Sequence, residues 1–243
     1  MLSYRWSDAL PPARRRLHIV SPRRRVLVRV GRHNVYSYPS ALYTGLVCGV
    51  YAGCALVPDA DVTPFALAMV VLLVPALAGA RLLFVAAHWS TYRGEPRRIL
   101  RRSEGGMAMY GGLLLALPLS IPLVRAVGLP FGEFWDGATA TMILGAAFTR
   151  VGCFLNGCCA GPRVPTPLLE CVACLGLFAG LVALWPVFPF TGAALLYGLA
   201  TYGLLRFSLE FTRARARTIT FAQVVSATAV LVCVPLYLAL WLA

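Results

Sequence analysis

Seven apolar stretches, at about 40–57, 64–88, 107–126, 137–157, 166–187, 190–210 and 219–242, decide what this chain can become. Most reach or exceed the roughly 20 residues a helix needs to cross about 30 Å of hydrocarbon. Strands of a transmembrane barrel would alternate polar and apolar residues, and these runs do not. They predict an all-α membrane protein, a bundle of seven transmembrane helices. A composition of 59% hydrophobic and 13% charged residues is far from that of a soluble domain and agrees with this.

Most of the charges fall outside those stretches. All 22 basic residues are arginines, against nine acids, and nine arginines lie in the first 32 residues. Residues 1–38 are therefore expected to form a basic surface arm touching anionic lipid headgroups. Residues 39–243 are expected to form the transmembrane domain. Nucleic acid is not an expected partner, because no aromatic platform is interleaved with the arginines. Asp8–Leu17, broken by Pro11 and Pro12, supplies no signal-peptide apolar core. If all seven stretches cross, eighteen arginines share one side and only Arg125 lies on the other. The positive-inside rule then puts the N-terminus in the cytoplasm.

A few polar residues sit at or inside the apolar stretches, where they are costly and so mark a cavity whose walls the other helices form. Thr149-Arg-Val-Gly-Cys-Phe-Leu-Asn-Gly-Cys-Cys-Ala-Gly161 places Arg150, Asn156, three thiols and three glycines at the end of the fourth stretch. Gly105-Gly-Met-Ala-Met-Tyr-Gly-Gly112 flanks Tyr110 with paired glycines. Such pairs admit either a ligand or a neighbouring helix. Arg206 and Glu210, four apart, share a helix face and can pair. Cys171 and Cys174 also share a face. A Cys-x-x-Cys pair suits thiol redox or a soft metal, but neither cysteine is expected at a helix N-terminus and no histidine lies near in sequence. Inert packing is the preferred reading, and no metal or cofactor is expected.

Four motifs in order resemble those of the prolipoprotein diacylglyceryl transferases, seven-helix enzymes of the bacterial inner membrane. The family signature Gly-Arg-x-Gly-Asn-Phe-x-Asn-x-Glu-x-x-Gly is matched by Arg150, Gly152, Phe154, Asn156 and Gly161. Thr149, Cys153 and Cys158 replace its first glycine, first asparagine and glutamate. Residues 105–112 resemble Gly-Gly-Met-Ser-x-His-Gly-Gly, with Tyr110 in place of histidine. Arg163-Val-Pro-Thr-Pro-Leu-Leu-Glu170 resembles Arg-His-Pro-Ser-Gln-Leu-Tyr-Glu. Tyr202-Gly-Leu-Leu-Arg-Phe-Ser-Leu-Glu-Phe-Thr-Arg213 resembles Tyr-Gly-x-x-Arg-x-x-x-Glu-Phe-x-Arg, and Gln223 follows as the family's later glutamine does. Tyr43 and Arg81 are weaker counterparts of a first-helix tyrosine and a second-helix arginine.

The resemblance implies a central lipid-open cavity and transfer of the diacylglyceryl group of phosphatidylglycerol to a thiol. It implies catalytic roles for Arg150, Arg206, Tyr110 and Glu210. It implies substrate binding by Asn156, Gly111, Gly112, Gly152, Gly161, Tyr43 and Arg81. Partners would be an anionic phospholipid and a lipoprotein precursor or another acceptor. In the family an extramembrane head is inserted after the signature, where here only Pro162–Pro165 intervene. The family's signature end faces the periplasm, whereas the charge bias here places it in the cytoplasm. Two other readings are a non-catalytic lipid-binding protein of the same fold and a membrane thiol oxidoreductase.

Overall fold

The computed structural model describes residues 26–30, 33–57, 62–95, 99, 109–157, 165–212 and 220–242. Among the described residues two strands, β1 (Val26–Val30) and β2 (His33–Tyr36), precede eight α-helices. These are α1 (Ser37–Leu56), α2 (Val62–Ala87), α3 (Trp89–Tyr92), α4 (Met109–Ala126), α5 (Phe131–Asn156), α6 (Thr166–Leu184), α7 (Ala193–Glu210) and α8 (Phe221–Leu242). Among the described residues, five helices are long and apolar enough to cross a membrane: α1, α2, α5, α6 with the short turn that follows it, and α8. The chain is an all-α multi-pass membrane protein apart from its hairpin. Five of the seven expected crossings meet the length and composition test. The other two, α4 and α7, have 18 residues each, about 27 Å of helix.

Two helix starts precede the sequence expectation by three residues or more. The first begins at Ser37, before Ser40, because Pro39 is tolerated in a first turn where its missing N–H loses no partner. The fourth stretch, expected from about 137, becomes a helix from Phe131, and residues 131–136 are its first turn and a half. Phe134 N–H donates to Pro130 O at 3.0 Å, and Glu133 stands in the first turn, where the helix dipole favours an acid.

The chain divides into two compact units, one of residues 1–49 and 139–243, the other of 50–138. In the first, α1 and α5 run antiparallel along a seam of small residues. A Cβ on Gly45 would lie 2.8 Å from Phe148 Cβ, and one on Gly49 would lie 2.7 Å from Thr141 O. Thr141 Oγ1 donates to Gly49 O at 2.9 Å. Gly152 closes the seam against Ala41 and Tyr38, 2.9 Å and 3.2 Å from where its Cβ would be. Small residues let membrane helices approach until backbones touch. Helix α8 starts with a capping box: Gln223 N–H donates to Thr220 Oγ1 at 3.3 Å, and Thr220 N–H donates to Gln223 Oε1 at 2.9 Å. That is a structural use for Gln223, the glutamine singled out in the sequence.

In the second unit, α2 and α4 meet at Gly79 and Gly111, each occupying the space a Cβ on the other would need, while Gly112 lies against Ala76 O. Phe65 and Phe134 pack at 5.5 Å, and the Trp135 indole N–H donates to Ser120 Oγ at 2.8 Å.

Candidate functional site

Three helices of the first unit each contribute one polar side chain to a common point. Arg150, in the penultimate turn of α5, places Nη2 2.8 Å from Glu170 Oε1 on α6. The same oxygen accepts the Tyr202 hydroxyl of α7 at 3.2 Å. Only 1% of the Glu170 side chain is exposed, against 18% for Arg150. A carboxylate this deep requires compensation, since an uncompensated buried charge costs several kcal/mol, on the order of 3–5. Arg150 supplies the charge and Tyr202 a hydrogen bond. Local sequence explains the placement: Thr166, Glu170 and Cys174 repeat every four residues and are all fully buried, a polar stripe turned inward.

A second pair sits farther along α7. Tyr202, Arg206 and Glu210 follow at four-residue intervals on one face, and Arg206 Nη1 lies 3.3 Å from Glu210 Oε2. This is an ion pair without hydrogen-bond geometry, and Arg206 Nη1 is buried. Arg206 thus keeps donor capacity in a planar fork suited to phosphate. Arg150 also approaches Cys153, Nη1 to Sγ 3.9 Å, one turn on along α5. Helix α5 stops at Asn156 because Gly157 adopts φ +73°, a left-handed cap for which glycine carries no Cβ penalty.

A family model described as prolipoprotein diacylglyceryl transferase matches residues 25–239. The chain belongs to that family. Curated relatives named phosphatidylglycerol–prolipoprotein diacylglyceryl transferase include one from Bacillus mycoides strain KBAB4. It is 31% identical over 151 residues, covering 60% of this chain and 55% of the relative. One from Bacillus anthracis strain CDC 684 is 30% identical over 153 residues, with the same shares. The chain thus spans about half the length of the curated relatives it matches.

The structure distributes the residues that resemblance to the diacylglyceryl transferases singled out. Arg150, Arg206 and Glu210 belong to the first unit, each with an acidic or basic partner. Asn156 lies at the end of the signature helix, half-buried. Gly152 faces α1. Gly161, Cys158 and Cys159 lie outside the described residues. Tyr110, Gly111, Gly112 and Arg81 belong to the second unit. The close approach that Gly111 and Gly112 permit there is to α2. Arg81 holds its own neighbourhood: Nε donates to Ile99 O at 2.9 Å, and the guanidinium lies 5.5 Å from the Tyr92 ring and 5.9 Å from that of Phe84.

Tyr43 is 65% exposed, with Val47 and Tyr51 in line below it, on the side of α1 away from the seam. The α1 tyrosine set against the signature is Tyr38, whose Cα is in contact range of Gly152. Candidate-site reasoning from sequence missed three residues: Tyr38, Glu170 and Tyr202. The last two stood inside quoted motifs, and a glutamate within an apolar stretch was itself the signal. Cys171 and Cys174 are buried free thiols in the second and third turns of α6. Among the described residues no three of His, Cys, Asp and Glu are grouped to hold a metal ion.

Proposed function

We propose that this chain is a phospholipid-dependent glyceryl-group transferase of the bacterial inner membrane. It would move the diacylglyceryl group of phosphatidylglycerol to a thiol or another acceptor. The observation that carries this reading is the Glu170 carboxylate held by Arg150 and Tyr202 across three helices. It is a buried, charge-bearing constellation in a chain of the prolipoprotein diacylglyceryl transferase family. The curated relatives are named for phosphatidylglycerol and prolipoprotein. Seven crossings, a basic arm at 1–38 and a transmembrane domain at 39–243 complete the proposal.

The reaction breaks the carbon–oxygen bond between the diacylglyceryl carbon and the phosphate, forms a carbon–sulfur bond where the acceptor is a thiol, and releases glycerol phosphate. Charge grows on the leaving phosphate. Arg150 and Arg206 supply preorganised positive charge for it, each group worth about 3–4 kcal/mol in a water-poor site. Both already hold carboxylates, so the phosphate takes their remaining N–H donors and Glu170 and Glu210 keep the guanidiniums oriented. The thiol proton needs an acceptor. Glu170 is the buried carboxylate in place, with the Tyr202 hydroxyl as relay, while Asn156 hydrogen-bonds substrate oxygens. Gly152 and Gly161, within the signature itself, complete the proposed substrate-binding set.

Lipid mass spectrometry of the purified protein tests the anion site. The wild type should carry co-purifying phosphatidylglycerol and Arg150→Ala should lose it, and an unchanged signal would remove the argument. Growth of a strain lacking its own prolipoprotein transferase then reports the acceptor: rescue identifies a lipoprotein precursor, and failure with phosphatidylglycerol still bound points to another one.

A further inference from the structure

We propose that the β1–β2 hairpin is a docking surface for anionic phospholipid headgroups, set into the bilayer interface at the signature end of the first unit. Its location follows from covalent continuity. Strand β2 ends at Tyr36 and α1, a membrane-crossing helix, begins at Ser37. A five-residue strand is about 17 Å long, so the whole hairpin stays within reach of the headgroup layer. Tyr38, two residues on, lies against Gly152 of the signature helix, so the hairpin and the end of α5 that carries Arg150 belong to the same end of that unit.

The side chains identify the occupant. The antiparallel register pairs Val28 with Val35 and Arg29 with Asn34. Directly opposed residues share a face and successive residues alternate, so one face carries Val28 and Val35 and the other Arg29 and Asn34. Val28 is 57% exposed and Val35 38%, and Arg29 and Asn34 are exposed as well. Among the described residues nothing buries these four side chains, although a lone two-stranded hairpin is marginal in water. An amphipathic ribbon with valines on one face and an arginine on the other, bordered by the exposed Tyr36 and Tyr38, has the anatomy of an interfacial element. Arg29 on the ribbon, with Arg23-Arg24-Arg25 before it and Arg32 between the strands in the sequence, makes the charge complement an anionic headgroup. Such a surface would hold anionic phospholipid beside the proposed site, and it stands whether or not that site turns over.

The test is photo-crosslinking of the full-length protein in vesicles, with a diazirine close to the glycerol backbone of either phosphatidylglycerol or phosphatidylcholine. Labelled peptides are mapped by mass spectrometry. Residues 26–36 should be labelled several-fold more from the phosphatidylglycerol probe, and Val28→Asp with Val35→Asp should lower that labelling at least several-fold while α2 and α8 stay labelled as before. Labelled spans with an unlabelled hairpin would overturn the docking surface. Equal labelling from the two lipids would overturn its preference for anions, and a protein crosslinked there in native membranes would overturn lipid as the occupant. None of these readouts needs catalysis, so a failed transferase assay and a failed docking surface remain distinguishable.

Discussion

Glu170 is the residue on which the site turns, because it is the most deeply buried charge there and serves two partners with one oxygen. Removing its charge strands Arg150. Glu170→Ala should therefore cost on the order of 3–5 kcal/mol, seen as a lower thermal midpoint in detergent. Replacing both members of a buried pair is a different experiment. Arg150→Met with Glu170→Leu removes the desolvation cost along with the attraction, and such swaps are often neutral or stabilising. The double variant should recover most of the midpoint that Glu170→Ala loses and still retain no phosphatidylglycerol. Recovery of both would make the pair a packing device. Tyr202→Phe is milder: one hydrogen bond to a carboxylate is lost, about 1.5–3 kcal/mol, with α7 otherwise unchanged.

At the scale of elements, the glycines decide which helices can be neighbours. Gly79 and Gly111 place the backbones of α2 and α4 in contact, so a methyl at position 111 meets the Gly79 carbonyl and Leu83 Cβ, neither of which can swing away. Gly111→Ala should destabilise the second unit by about 1–3 kcal/mol through overpacking. A packing role predicts a falling midpoint with lipid retention per folded molecule unchanged, and a ligand role predicts the reverse. The helices were legible in the sequence because each apolar stretch is nearly continuous, and Arg206 with Glu210 was legible because four-residue spacing fixes a face. The partner of Arg150 was not, since periodicity within α5 says nothing of which residue on α6 stands opposite. Tyr43 was preferred over Tyr38 for the same reason: only the α1–α5 seam distinguishes the faces of a helix that is apolar all round. The hairpin was hidden by the arginines around it, which made residues 26–36 read as part of a basic arm.

At the scale of the whole molecule the question is which way the site faces. Contacts of Gly45, Gly49 and Gly152 make α1 and α5 antiparallel, so the end of α5 carrying Arg150 and Asn156 lies beside the start of α1, the helix that the basic sequence precedes. Whatever side holds that sequence holds the signature. Nine arginines in 32 residues are costly to move across a membrane against the potential, about 2.3 kcal/mol per charge per 100 mV. The cytoplasm is therefore the expected side. With an odd number of crossings the C-terminal end of α8 is then external. Alkaline phosphatase fused after Ala243 should be active, and a fluorescent protein fused there should stay dark. Bright fluorescence with inactive phosphatase would reverse the orientation and give the signature the periplasmic face that resemblance to the family implies. In that arrangement a translocated lipoprotein precursor can reach Arg150 directly. In the expected one the acceptor must come from the cytoplasmic side, so this single fusion pair also divides the possible acceptors into two classes.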